Sequence, residues 1–199
     1  MIHRIKLTPE TLKFAEDEGK AIFKNSKKLT SQDTEKGKIA NSIFGSYAQQ
    51  AFIEGVDGRR VTEEEVPGFQ YDVACDNSRF KSYIGWADLE LSSIPKTKEA
   101  KVEIKNIHAE KRGWASYYDT FLEYTMRCAR KSQYDYFVGY ATTVIDPNEF
   151  IADVELWVAV NTKALLDEHY CFRKTKFDKK MHYFVKASVE NRNWGRVFI

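Results

Sequence analysis

Apolar and polar positions alternate with period two over Lys101-Val102-Glu103-Ile104-Lys105. Side chains alternate across a strand, so Val102 and Ile104 share one face while Glu103 and Lys105 share the other. Upstream, the apolar run Tyr83-Ile84-Gly85-Trp86-Ala87 ends on Asp88, and Leu89-Glu90-Leu91 alternates. Ser92-Ser93-Ile94-Pro95-Lys96 then supplies turn residues, so the pattern predicts a β-hairpin over 83–106. Further strands are expected at 2–7, 69–74, 80–91, 134–141, 151–160 and 181–186, with a turn at 76–78.

Three stretches carry helical spacing instead. Thr8-Pro9-Glu10 opens the first, with Thr as N-cap and Pro in the first turn, and Gly19 would loosen it. The second spans 33–54, where Ile39, Ile43, Phe44, Tyr47, Ala48, Ala51 and Phe52 form one stripe and Gly55 ends it. The third is 114–131, with Arg127, Arg130 and Lys131 at its C-terminal end, as the helix dipole favours. A short helix is expected at 164–168. This order predicts an α/β (α+β) protein with a central mixed sheet flanked by helices. Residues 1–33 read as an N-terminal strand and helix added to a core of 34–199, together one compact domain.

Composition changes little of this picture. The chain has 199 residues, 43% hydrophobic and 14% aromatic, enough for a substantial core. No apolar run reaches the length of about 18 residues that a membrane helix needs, so no membrane partner is expected. Residues 1–6 lack an apolar signal core, which leaves a cytoplasmic protein as the expectation. Cys75, Cys128 and Cys171 are widely spaced and show no CxxC, so a disulfide framework or structural zinc site is not expected. The formal net charge is only +2. Polyanion binding would therefore rest on local basic patches. The four histidines show no HExxH, and neither a glycine-rich phosphate loop nor a GxSxG elbow is present. Glu63-Glu64-Glu65 reads as a solvated acidic turn.

An acid closing one strand, opposite an acid and a lysine on the next, suits a divalent cation with a water beside it. With these residues in view, GWADLEL followed by KVEIKN resembles the PD-(D/E)XK nuclease superfamily, the restriction-endonuclease-like fold. The motif's aspartate would be Asp88 and its (D/E)XK would be Glu103-Ile104-Lys105. Ala87 stands where the motif has its proline. Asp72, preceded by Tyr71, is the rival for the aspartate, because some relatives place an early Tyr-Asp pair similarly. The superfamily core runs αβββαβ, and its first helix often carries a glutamate that reaches the metal. Here Gln49 and Gln50 stand near that position after Gly45, and Glu90 shares the face of Asp88. The Gln-x-x-x-Tyr signature of the RecB-like subgroup is missing from 114–131.

The resemblance implies a Mg²⁺-dependent deoxyribonuclease, most readily an endonuclease, in which Mn²⁺ substitutes for Mg²⁺. Asp88, Glu103 and the Ile104 carbonyl would hold the metal, and Lys105 would activate water. DNA is the expected partner, with RNA open. Lys111, Arg112 and His108 after the third core strand would meet phosphates. So would Arg173, Lys174 and Lys176, in a basic segment interleaved with Phe172 and Phe177. A double-strand cutter needs two sites, which leaves a homodimer open, and the small size fits a phage or mobile-element enzyme. The alternative is a catalytically inactive relative serving as a nucleic-acid-binding or assembly protein.

Overall fold

The structure is a computed structural model that describes residues 2–25, 34–62, 64–66, 71–85, 99–108, 133–162, 170–174, 181–185 and 197–198. Strand β1 (Ile2–Lys6) leads into helix α1 (Pro9–Asn25) and then α2 (Glu35–Val56). Strands β2 (Arg59–Arg60) and β3 (Val73–Asp76), helix α3 (Asn77–Ile84) and strands β4 (Glu99–His108), β5 (Tyr136–Asp146) and β6 (Ile151–Asn161) follow. Strands β7 (Tyr170–Lys174), β8 (Met181–Val185) and β9 (Val197–Phe198) complete the described elements.

The main sheet is mixed, in the order β1-β6-β5-β4-β3-β2, with β9 beside β6; β7 and β8 form a separate antiparallel pair. Strands β3 and β4 are antiparallel, Val73 opposite Val102. Strands β4 and β5 are parallel, with Val102 to His108 matched to Tyr136 to Thr142. A parallel neighbour requires a crossover rather than a tight turn. β5 is accordingly a run of seven buried residues, Tyr136 to Thr142, as a strand covered on both faces should be.

Helix α2 lies over one face of the sheet. Its Tyr47, Ala48, Ala51, Phe52 and Val56 pack into one cluster with Val73, Val102, Ile104, Tyr136, Val138 and Tyr140. Each large side chain buried there contributes about 1.5–3 kcal/mol. Thr34 caps α2 by accepting from the Gly37 N–H, 3.0 Å. The helix does not stop at Gly55. It runs to Val56 and ends where Asp57 adopts left-handed φ, +50°. Gly55 instead faces Tyr83 of α3, leaving no room for a Cβ.

Of the hairpin expected over 83–106, residues 99–106 are strand, 83–85 close a helix, and 86–98 lie outside the described residues. Residues 80–84, expected in a strand, belong to α3, because the Asp76 carboxylate accepts from the Ser78 N–H (2.8 Å) and the Arg79 N–H (3.3 Å) as an N-cap. Gly85 closes the helix at φ +83°. Asn77, Phe80 and Ile84 then fall on one buried face. The antiparallel neighbour of β4 is β3, which starts at Val73 rather than Phe69. Residues 171–174 of the basic segment belong to β7. The expected helices at 114–131 and 164–168 lie outside the described residues.

Candidate carboxylate and lysine site

The site is assembled from four elements. Strand β4 brings Glu103 and Lys105, two residues apart and therefore on one face, and their side chains form an ion pair. Glu103 is buried, 3% exposed, whereas the Lys105 side chain keeps a third of its surface. Asp72 sits immediately before β3. Its backbone N–H donates to the Val102 carbonyl, 3.0 Å, and its Oδ2 accepts from the Ile104 N–H, 2.7 Å. That second bond seats the Asp72 carboxyl against β4, between Glu103 and Lys105 in sequence. From α2, the Gln49 amide donates to Asp72 Oδ1, 3.4 Å.

Helix α1 supplies the fourth part, Glu18, which sequence reasoning missed. Thr11, Ala15 and Gly19 form the buried stripe of α1, and Glu18 adjoins it one helical turn after Ala15. An acid at the border of such a stripe was the available signal. Glu18 lines a cleft of about 620 Å³ together with Ile22, Asn41, Phe44, Gln49, Asp72, Ile104 and Lys105. Asn106 pins the cleft's β4 wall: its amide donates to the Phe44 carbonyl, 2.8 Å, and its carbonyl oxygen accepts from the Thr142 hydroxyl, 2.8 Å.

Burial and the Asp72 charge raise the proton affinity of both glutamates. Burial, then the neighbouring Asp72 charge, pushes Glu103 up to about 8, with Lys105 acting the other way. Glu18 is pushed up to about 7, again by burial first and Asp72 second, while Ser42, Lys105 and Arg60 oppose the rise. Asp72 is raised by burial, against the Lys105 charge and the Ile104 hydrogen bond. Carboxyls with shifted proton affinity cluster at functional sites, which makes this cleft the candidate.

Among the described residues no three His, Cys, Asp or Glu side chains form a ready-made metal cage. The donors nevertheless suit a hard cation, which takes one or two carboxylates plus waters and phosphate oxygens. Among the described residues Glu103 Oε2 is buried without a hydrogen-bond partner, an oxygen that a cation would satisfy.

Of the residues expected from sequence, Glu103, Ile104 and Lys105 lie on β4, and Asp72 and Gln49 adjoin them. Gln50 points elsewhere: its amide donates to Glu54, 2.8 Å. Asp88, Glu90, Lys111, Arg112 and Lys176 lie outside the described residues. Arg173 and Lys174 are on β7, in the smaller sheet, and His108 ends β4. Glu65 is exposed, pairs with Arg59 at 2.7 Å and accepts from the Thr62 N–H at 3.0 Å, as a solvated acidic turn would. Burial pushes the Cys75 thiol up to about 12, which makes it a poor nucleophile. Compared with known proteins, the chain matches no family model, no curated protein and no solved structure. Among the described residues no helix is long and apolar enough to cross a membrane.

Proposed function

We propose that this protein is a metal-dependent nuclease of the PD-(D/E)XK type that hydrolyses phosphodiester bonds in DNA. The observation that carries the reading is the hydrogen bond from the Ile104 N–H to Asp72, which joins an aspartate to the acid-x-lysine strand. This supports Asp72, the early Tyr-Asp alternative, in the aspartate's role in place of Asp88. Strand order adds support: β2, β3 and β4 are successive neighbours and β5 is parallel to β4, as a restriction-endonuclease-like core requires.

Asp72 and Glu103 would hold Mg²⁺ or Mn²⁺, with Glu18 and the Ile104 carbonyl as further oxygen donors. When bound, the ion supplies a Lewis acid for the phosphoryl oxygen and lowers the pKa of a water. The chain's own groups do the rest. Lys105 would orient the attacking water and offset charge developing on the phosphoryl oxygens. Glu103 would hold the ion as a carboxylate, the form in which it pairs with Lys105. Gln49 and the Ile104 N–H hold the Asp72 carboxyl plane fixed.

The test is incubation with labelled linear, circular and single-stranded DNA and with RNA, with and without Mg²⁺. DNA cleavage should depend on Mg²⁺. It should fall by about 10²–10³-fold in Asp72→Asn, Glu103→Gln and Lys105→Met while each variant keeps its circular dichroism spectrum. Asp88→Asn discriminates the two aspartates, and full activity is expected. An inert wild type, or unimpaired Asp72→Asn, would overturn the assignment.

A further inference from the structure

Arg60 sits at the end of β2, opposite Val73, and its half-buried guanidinium contacts both α1 and α2. Its Nε donates to Gln49 Oε1, its Nη1 to Thr11 Oγ1 and its Nη2 to Gln50 Oε1, each at 3.3 Å. The guanidinium also lies 5.3 Å from the centre of the Phe14 ring, within cation–π range. An arginine has donors only, so every group facing it must present an acceptor. The Gln49 carboxamide has two ends of opposite character, and Arg60 therefore decides which way it points. With Oε1 committed to Arg60, the amide nitrogen is left facing Asp72 Oδ1. The reverse orientation would set amide hydrogens against the guanidinium and a carbonyl against a carboxylate, two repulsions at once.

We propose that Arg60 is a positioning residue for the carboxylate site, its rigid fork locking Gln49 so that Gln49 holds the Asp72 carboxyl. The catalytic consequence rests on the nuclease reading; the orientation of Gln49 does not. Lysine would keep the charge but not the fork, because an ammonium cannot present a planar set of donors.

The test has two arms. In the metal-free protein, the side-chain amide resonances of Gln49, assigned by their loss in Gln49→Ala, should be dispersed and slow to exchange. In Arg60→Lys they should move into the envelope of exposed amides. Thr11→Val and Gln50→Ala, which remove the other two Arg60 contacts, should lower the melting temperature without moving them. Unshifted Gln49 resonances in Arg60→Lys would overturn the proposal; if that variant does not fold, Arg60→Met gives the same readout. In the cleavage arm, Arg60→Lys and Gln49→Ala should each lose about 10–100-fold, as outer-shell changes do, and the double variant should be no worse than Gln49→Ala alone. Additive losses would mean that Arg60 only braces the helices, which refutes positioning. A wild type without cleavage would sink the nuclease reading and leave the resonance arm to decide this one.

Discussion

Glu103 is the group whose behaviour with pH is most tightly constrained. Its proton affinity in the folded chain lies above the ordinary carboxylate value of 4.5, at about 8, and that of Glu18 is about 7. A carboxyl raised on folding binds its proton more tightly in the native state than in the unfolded one. Native stability is thus fullest at or below the ordinary carboxylate range and declines as pH rises through it towards the folded values. The metal-free protein should therefore melt at progressively lower temperature between about pH 5 and about pH 8. Glu103→Gln, which cannot ionise, should flatten that slope and melt higher than wild type at the alkaline end. Saturating Mg²⁺ should also flatten it, by stabilising the carboxylates. Differential scanning calorimetry across the range checks all three, and a slope unchanged by Glu103→Gln would show that Glu103 titrates normally. Glu103 and Lys105 were legible because period-two alternation is a local property. Glu18 was not, because nothing along the chain says that α1 folds back against a carboxylate 54 positions later at Asp72 (72 minus 18).

The antiparallel pair of α1 and α2 forms one wall of the cleft, and two glycines there differ in what surrounds them. A Cβ on Gly19 would lie 2.5 Å from the Ile39 Cα, a backbone clash that neither helix can relieve without separating. Gly19→Ala should cost about 1–3 kcal/mol and shift Glu18 with it, so cleavage should fall beyond what the lost stability explains. At Gly45 nothing lies within 4 Å of a Cβ. Gly45→Ala should instead stabilise α2 by about 0.5–1 kcal/mol, because alanine gives up less backbone freedom on folding. Urea denaturation of the pair checks the sign, and equal shifts would refute the close approach. Gly19 would loosen α1 on propensity alone. It is an uninterrupted part of the helix because packing on Ile39 outweighs propensity of about 1 kcal/mol. Helix α3 is a different lesson. Its cap residues, Asp76 and Gly85, were readable, but the apolar lead-in to Asp88 read more strongly as a strand than the caps read as a helix.

At the scale of the fold, the N-terminal strand closes the sheet. β1 pairs antiparallel with β6 along its whole length, Ile2 opposite Glu155 to Lys6 opposite Ile151, and Ile5 and Leu7 are 3% exposed. Removing residues 1–7 would uncover one edge of β6 and part of the core, and unpaired edges template association. The truncated chain should unfold at markedly lower urea and elute as larger species on gel filtration. Arg4→Ala, which deletes only an exposed ion pair with Asp153, should leave both unchanged. A truncation as stable as the full chain would mean that β1 is dispensable.

Strands β1, β5 and β6, the two long helices and the acid-x-lysine face were all open to inspection along the chain, because side-chain alternation and helical spacing are set by near neighbours. That Asp72 accepts from the Ile104 N–H, that Glu18 lines the cleft from α1, and that Arg60 donates to Gln49 depended on strand pairing and helix packing. Those contacts link residues far apart in the chain, and no local period records them. Their reality rests on burial and hydrogen bonding that exist only once the sheet and its helices have come together.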